Sequence, residues 1–138
     1  MSSLTLIVAE DDHFMREWLS IVLQGLDARV YHAANGHELL NLLAEIEAVD
    51  LVISDIRMPG PSGLDVLANA RAGGNQVPFL FITGYGGADV VSAAAQLGAS
   101  LLAKPFSRQD LLAHVNHLCR RCPRDGDCVR GRVIDERK

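Results

Sequence analysis

The chain has 138 residues, of which 49% are hydrophobic and 22% charged, which suits one globular domain with its own core. Its formal net charge of −4 does not favour binding to nucleic acid or anionic membranes, and no stretch approaches the length of a membrane span. The start, Met1-Ser2-Ser3-Leu4, lacks the basic region and long apolar run of a signal peptide, so we expect a soluble, cytoplasmic protein.

Apolar runs alternate with amphipathic stretches along most of the chain. In order, the pattern predicts a strand over 4–9, a helix over 14–23 that Gly25 ends, a short strand at Val30 and Tyr31, a helix over 39–46 and a strand over 51–54. After a loop over 57–63 come a helix over 64–70, a strand over 79–82, a helix over 90–97, a strand over 101–103 and a helix that Ser107 caps with Asp110.

Five strands alternating strictly with five helices predict an α/β fold with an open, doubly wound parallel sheet. Right-handed crossovers leave few topologies, and the strand order 2-1-3-4-5 is the common one at this size. The strands at 4–9 and 51–54 would then flank the point at which the strand order reverses, where such sheets bind ligands.

Polar groups suited to phosphate chemistry follow four of the predicted strands. Glu10 and Asp11 follow the first strand, and Asp55 follows the third. Thr83 and Lys104 follow the fourth and fifth. Because parallel strands end at one edge of the sheet, we expect these groups to converge there. Asp12, next to the acids, is expected to cap the first helix.

Three carboxylates close together repel one another unless a cation lies among them, and Mg²⁺ prefers such oxygen ligands. Asp55 is the candidate nucleophile, since a carboxylate can attack phosphorus and form an aspartyl-phosphate. The Lys104 ammonium would offset charge on the transferring group, and the Thr83 hydroxyl would contact a phosphoryl oxygen.

Over residues 4–120 the chain resembles a response-regulator receiver domain of bacterial two-component signalling, with the flavodoxin-like (βα)5 fold, and we assign this domain to residues 1–122. Its motifs are, in order, Val8-Ala9-Glu10-Asp11-Asp12, Asp55-Ile56-Arg57-Met58-Pro59 with Gly63, Thr83-Gly84, and Lys104-Pro105-Phe106. Each is weak alone, but their order and spacing are specific.

The resemblance implies that Asp55 takes a phosphoryl group from the phosphohistidine of a sensor histidine kinase or a phosphotransfer protein. It implies a Mg²⁺ site made of Glu10, Asp11, Asp55 and the backbone carbonyl of Arg57, with Thr83 and Lys104 contacting the attached phosphoryl group. Such a domain catalyses only its own phosphorylation and slow dephosphorylation. It acts through a downstream protein effector, without nucleic acid or membrane, as a monomer or weak homodimer.

The chain departs from the usual receiver pattern on its fifth strand. Leu101 stands where receivers carry a Tyr or Phe that moves with the Thr, so the ordinary output switch is not expected. The segment 78–85 resembles a receiver subgroup with a Phe-x-Phe-Ala-Thr-Gly type motif, in which Tyr85 is the candidate replacement. Gly84, Gly86 and Gly87 predict a mobile loop, and Arg57 is expected to affect the lifetime of the acyl phosphate.

The end of the chain carries Cys119, Cys122 and Cys128. Helical spacing separates His114 and His117 from the apolar face that holds Cys119, which argues against a metal site made of all five residues. Cys119 is expected in the core, while a disulfide or a metal role remains open for the other two cysteines. The charged, glycine-interrupted segment 123–138 is expected to be a flexible tail.

Two other classes of function remain at this stage. A haloacid dehalogenase type phosphatase also uses Asp, Thr and Lys around Mg²⁺, but it needs a second Asp where Arg57 stands, and its nucleophile precedes the paired acids. A phosphorylation-independent scaffold would be expected to have lost Asp55, Thr83 or Lys104, and all three are present.

Overall fold

The computed structural model describes residues 4–84 and 87–119, and within them five strands alternate with five helices, as predicted. The strands are β1 (Leu4–Ala9), β2 (Ala28–Ala33), β3 (Leu51–Asp55), β4 (Phe79–Thr83) and β5 (Ser100–Ala103). The helices are α1 (His13–Gln24), α2 (Gly36–Glu45), α3 (Gly63–Ala72), α4 (Ala88–Gln96) and α5 (Arg108–Cys119). The predicted tail, 123–138, and the domain boundary before it lie outside the described residues.

The strands form one parallel sheet in the order β2-β1-β3-β4-β5, which confirms the predicted doubly wound fold. All five strands therefore end at the same side of the sheet, called here the carboxyl edge, and begin at the opposite side, the amino edge. The neighbouring strands β1 and β3 lie at the reversal of strand order, where open α/β sheets bind their ligands.

Both faces of the sheet are buried because side chains alternate between them along each central strand. In β1, Leu6 and Val8 join a cluster with residues of α1 and α5, whereas Ile7 and Ala9 join a cluster with residues of α2 and α3. The same alternation separates Leu80 from its β4 neighbours on the other face. Helices covering both faces explain why β1, β3 and β4 read as continuous apolar runs.

The prediction for β2 was too short. The strand spans Ala28–Ala33 instead of Val30 and Tyr31 alone, and it pairs with β1 along its whole length. It lies at the edge of the sheet, and of its six residues only Ala33 is buried. An edge strand with this burial lacks the continuous apolar run by which the central strands were recognised.

Capping interactions begin the helices where the sequence predicts them. The Asp12 side chain accepts a hydrogen bond from the Phe14 N–H at 3.0 Å and starts α1. The Asp110 N–H donates to Ser107 Oγ at 3.0 Å, and the Ser107 N–H donates to Asp110 Oδ2 at 3.1 Å, which completes a reciprocal capping box at α5. In the part of the chain that the structure describes, no helix is both long and apolar enough to cross a bilayer.

Candidate functional site

The carboxyl edge brings together the polar groups that the sequence placed after four strands. Glu10 and Asp11 directly follow β1, and Asp55 is the last residue of β3. Thr83 ends β4 and is paired with the last residue of β5, directly before Lys104. The backbone N–H of Lys104 donates to the Thr83 carbonyl at 2.8 Å, which ties the two strand ends together.

The acids and the lysine form one cluster. Ligand oxygens of Glu10, Asp11 and Asp55 all lie within 4.8 Å of one another. Lys104 Nζ lies 3.2 Å from Asp55 Oδ2 and 3.6 Å from Glu10 Oε1. The side chains of these four residues, which come from three separate parts of the sequence, therefore share one anionic pocket with a single ammonium group.

Glu10 is the most constrained member of the cluster. Its side chain is only 1% exposed, and its Oε2 accepts a hydrogen bond from the Asp12 N–H at 3.2 Å. Burial raises the pKa of Glu10 to about 7, and the charge of Asp55 adds to this effect, although the Asp12 N–H and Lys104 oppose it. At neutral pH this carboxyl group is therefore held near the midpoint of its titration.

The ammonium of Lys104 is stabilised by the acids around it. Partial burial by itself would lower the pKa of Lys104, but the charges of Asp55 and then Glu10 outweigh it, and the pKa is raised. The lysine is thus firmly protonated at the place where a transferred anionic group would meet Asp55.

The donor set fits a divalent cation that prefers oxygen. Three carboxylates surround one ammonium, so ionisation of all three leaves an excess of negative charge in the pocket. Among the described residues, Glu10 Oε1 is buried without a hydrogen-bond partner. An unsatisfied buried oxygen is costly unless a cation meets it. Glu10, Asp11 and Asp55 therefore suit Mg²⁺, which binds a few carboxylates together with water.

Two supporting residues were missed by the sequence analysis. Arg16, one turn into α1, donates from Nη1 to the backbone carbonyl of Glu10 at 2.7 Å. Ser54 Oγ, fully buried in β3, donates to the carbonyl of Asp55 at 2.7 Å. A polar residue within the apolar run of β3 was a visible signal for Ser54. Arg16 had none, because its role depends on how α1 leaves the sheet.

Comparison with known proteins identifies this arrangement. A family model described as the response regulator receiver domain matches residues 6–116. The chain belongs to the receiver-domain family. This match and the strand order do not favour the phosphatase that the sequence analysis also considered.

Relatives of known sequence and structure agree with this assignment. Response regulator protein TmoT of Ectopseudomonas mendocina is 32% identical over 117 residues, which are 84% of this chain and 53% of that protein. Sporulation initiation phosphotransferase F of Bacillus subtilis is 27% identical over 77% of this chain and 86% of its own length. The crystal structure of a putative response regulator from Chloroflexus aurantiacus is 31% identical, covers 87% of this chain and 100% of its own, and has a TM-score of 0.78. The chain spans about half the length of the first curated relatives.

The receiver departs from its family on β5, as the sequence indicates. Leu101 is half-buried and paired with Phe81 of β4, so an aliphatic side chain occupies the position expected for the aromatic residue. The proposed replacement, Tyr85, lies outside the described residues, as does Gly86. Gly84 is exposed at the end of β4, and Gly87 is the N-cap of α4.

The cysteine prediction can be followed only for Cys119. This residue is half-buried against the core cluster that contains Val115, as predicted from its helical position. Within residues 4–84 and 87–119, the acidic group at the carboxyl edge is the only set of three side chains arranged to hold a metal ion, so His114 and His117 belong to none. Cys122 and Cys128 lie outside the described residues.

Proposed function

We propose that this receiver domain takes a phosphoryl group onto Asp55 from the phosphohistidine of a sensor histidine kinase or a phosphotransfer protein. The observation that carries the proposal is the 3.2 Å contact between Lys104 Nζ and Asp55 Oδ2 inside the group of three carboxylates. The relative from Bacillus subtilis, whose printed name is a phosphotransferase, supports the same reaction class.

In this reaction a carboxylate oxygen of Asp55 attacks phosphorus. The new O–P bond forms as the P–N bond to the donor imidazole breaks, and the imidazole nitrogen keeps the electron pair. Lys104 stabilises the negative charge on the transferring group, and the Thr83 hydroxyl donates a hydrogen bond to one of its oxygens. Glu10, Asp11, Asp55 and the Arg57 carbonyl would hold Mg²⁺, which supplies further positive charge to the phosphoryl oxygens.

The domain catalyses its own phosphorylation and slow dephosphorylation and acts on no other substrate. Its output is a contact with a downstream protein that distinguishes the phosphorylated form. The whole protein's pathway is open, since the chain covers about half the length of its first curated relatives. A phosphorylation-independent scaffold is less well supported, because it gives no reason for Glu10 to be buried beside Asp55 and Lys104.

An apolar surface beside the site suits the approach of a protein donor. Phe14, Trp18 and Ile21 lie on one face of α1 and are 81%, 36% and 69% exposed. This face continues into a groove lined by Met15, Trp18, Lys104, Pro105 and Phe106. The groove includes the lysine that contacts Asp55, so a donor that binds the α1 face lies next to the reacting carboxylate. We propose that the donor protein docks here.

Small phosphodonors test the reaction without the kinase. Wild-type protein is incubated with Mg²⁺ and either acetyl phosphate or phosphoramidate, and its intact mass is measured. We expect one added phosphoryl group in wild type and in Asp89→Asn, which changes an exposed aspartate of α4. We expect none in Asp55→Asn or when EDTA removes the metal. Wild type that stays unmodified by both donors, or Asp55→Asn that gains the group, would refute the proposal.

A further inference from the structure

The backbone of α2 packs directly on the loop that follows β3, defined here as residues 56–62. The Gly36 N–H, at the first position of α2, donates to the Pro59 carbonyl at 3.2 Å. A Cβ added to Gly36 would overlap the carbonyl oxygen of Pro61 and lie 2.9 Å from its carbonyl carbon. Both partners are backbone atoms, so rotating a side chain could not relieve the overlap. Only glycine allows this approach of helix and loop.

A second contact holds the tip of the same loop. Gly60 has a φ of +79°, in the left-handed region that favours glycine. A Cβ on Gly60 would lie 2.8 Å from Cδ2 of His37, so the imidazole ring rests against this turn. Gly36 and His37, the first two residues of α2, thus both contact the loop between Pro59 and Pro61.

The base of the loop is closed separately, next to Asp55. The Gly63 N–H donates to the Ile56 carbonyl at 2.8 Å. A Cβ on Gly63 would lie 2.6 Å from the Asp55 carbonyl oxygen, so α3 also starts in direct contact with the backbone of β3. These contacts hold the two ends of the loop but leave its tip to α2.

Arg57 lies between the closed base and the pinned tip. Its backbone N–H donates to Asp55 Oδ1 at 3.3 Å, so its peptide unit is part of the site. The orientation of its carbonyl depends on the course of the chain through Met58 to Pro59, and Pro59 is the residue that Gly36 binds. A shift of the tip would therefore rotate the peptide planes next to the acids.

We infer that Gly36 and His37 are positioning residues that orient the Arg57 carbonyl and thereby set the affinity of the pocket for Mg²⁺. The inference rests on the proposed function, since it assigns the carbonyl to the metal. It extends the functional unit to the start of α2, beyond the strand ends that carry the acids. Residues that orient metal ligands typically change metal affinity by about 10- to 100-fold when they are replaced.

The test measures Mg²⁺ binding to the full chain by isothermal titration calorimetry. It also follows the Arg57 amide resonance of the metal-free protein by NMR. We expect Gly36→Ala to lower the affinity for Mg²⁺ about tenfold and to shift the Arg57 amide. The matched control is Gly73→Ala, at the end of α3, where an added Cβ would meet no atom closer than 3.7 Å. This control should bind Mg²⁺ like wild type.

His37→Ala removes the ring that rests on Gly60 and adds no atom, so it also serves if Gly36→Ala does not fold. We expect it to lower the affinity for Mg²⁺ about threefold, a smaller effect than the loss of a direct ligand. A merely structural role would lower the melting temperature of the metal-free protein but leave the Mg²⁺ affinity of the folded variants unchanged, and that result would overturn the inference. If wild type binds no Mg²⁺, the metal assignment fails and the inference fails with it. If wild type binds and Gly36→Ala or, where that variant does not fold, His37→Ala binds equally well, only the inference fails.

Discussion

The two edges of the sheet use charged residues in opposite ways. At the carboxyl edge, Glu10 is buried beside Asp55 and keeps one oxygen without a hydrogen bond. At the amino edge, the Arg71 guanidinium donates to the carbonyls of Leu97, Asn75 and Val77 at 2.8, 3.0 and 2.9 Å. The amino edge is therefore internally satisfied and contributes to stability, whereas the carboxyl edge has free capacity for a ligand.

The largest effect that separates the edges is expected at Lys104. We expect Lys104→Met to slow phosphorylation by acetyl phosphate about 100-fold, because the ammonium 3.2 Å from Asp55 no longer offsets the transferred charge. Quenched time courses of intact mass measure this rate. Arg108→Met, which removes an exposed cation at the start of α5, is the control. Equal rates in both variants would remove the lysine from the reaction.

The opposite edge is tested at Arg71. Because its guanidinium joins the ends of α3 and α4 through three carbonyls, we expect Arg71→Met to lower the free energy of unfolding by about 2 kcal/mol. Urea denaturation followed by circular dichroism measures the change, with exposed Arg29→Met as the control. The affinity for Mg²⁺ should not change. A large fall in that affinity would show that the two edges are not independent.

Glu10 makes the cost of the carboxyl edge measurable. Its pKa in the folded protein is raised to about 7, so the folded state binds this proton more tightly than the unfolded state. The resulting stability is complete below the ordinary pKa of 4.5 and is lost as the pH rises through about 7. A glutamine at this position would be neutral throughout. Without metal, Glu10→Gln should therefore be more stable than wild type by about 1–2 kcal/mol at about pH 8, and equally stable at about pH 4.5.

Urea titrations at both pH values, with EDTA and with Mg²⁺, provide the measurement and its control. Saturating Mg²⁺ should stabilise wild type more than Glu10→Gln, because only the wild type keeps the carboxylate ligand. An advantage of Glu10→Gln that is the same at both pH values would show that the buried charge is not its cause.

The smallest effect on the isolated domain is expected at the exposed face of α1. Phe14 and Ile21 are largely exposed, so Phe14→Ser and Ile21→Ser should each change the free energy of unfolding by less than about 0.5 kcal/mol. Phosphorylation by acetyl phosphate should be unchanged. Transfer from a histidine kinase that phosphorylates wild type should slow, since the proposed docking surface is lost. Equal transfer rates would place the donor elsewhere.

Much of the fold and the convergence of the acids could be predicted from the sequence, because both follow from repeated local patterns. The apolar runs of β1, β3 and β4 are long enough to indicate central strands, and parallel strands bring their following residues to one edge. The roles proposed for Asp55, Thr83 and Lys104 stay predictions that the phosphorylation experiments test.

Other features depend on how separate elements pack, which a local pattern does not contain. Glu10 and Asp11 are adjacent acids, yet the first is buried and the second exposed. The difference arises from contacts such as that of Arg16 with the Glu10 carbonyl. The close approach of Gly36 to Pro61 likewise joins two segments that are distant in the sequence. Such tertiary contacts were not predictable from residue type and spacing.

Trp18 is the single tryptophan of the chain, and its ring centroid lies 5.9 Å from that of Phe106. Both rings line the groove that contains Lys104. When excitation avoids tyrosine absorption, the intrinsic fluorescence of the protein therefore comes from one indole beside the reactive edge. Stopped-flow emission can accordingly follow metal binding, phosphorylation and donor docking in real time on unlabelled protein.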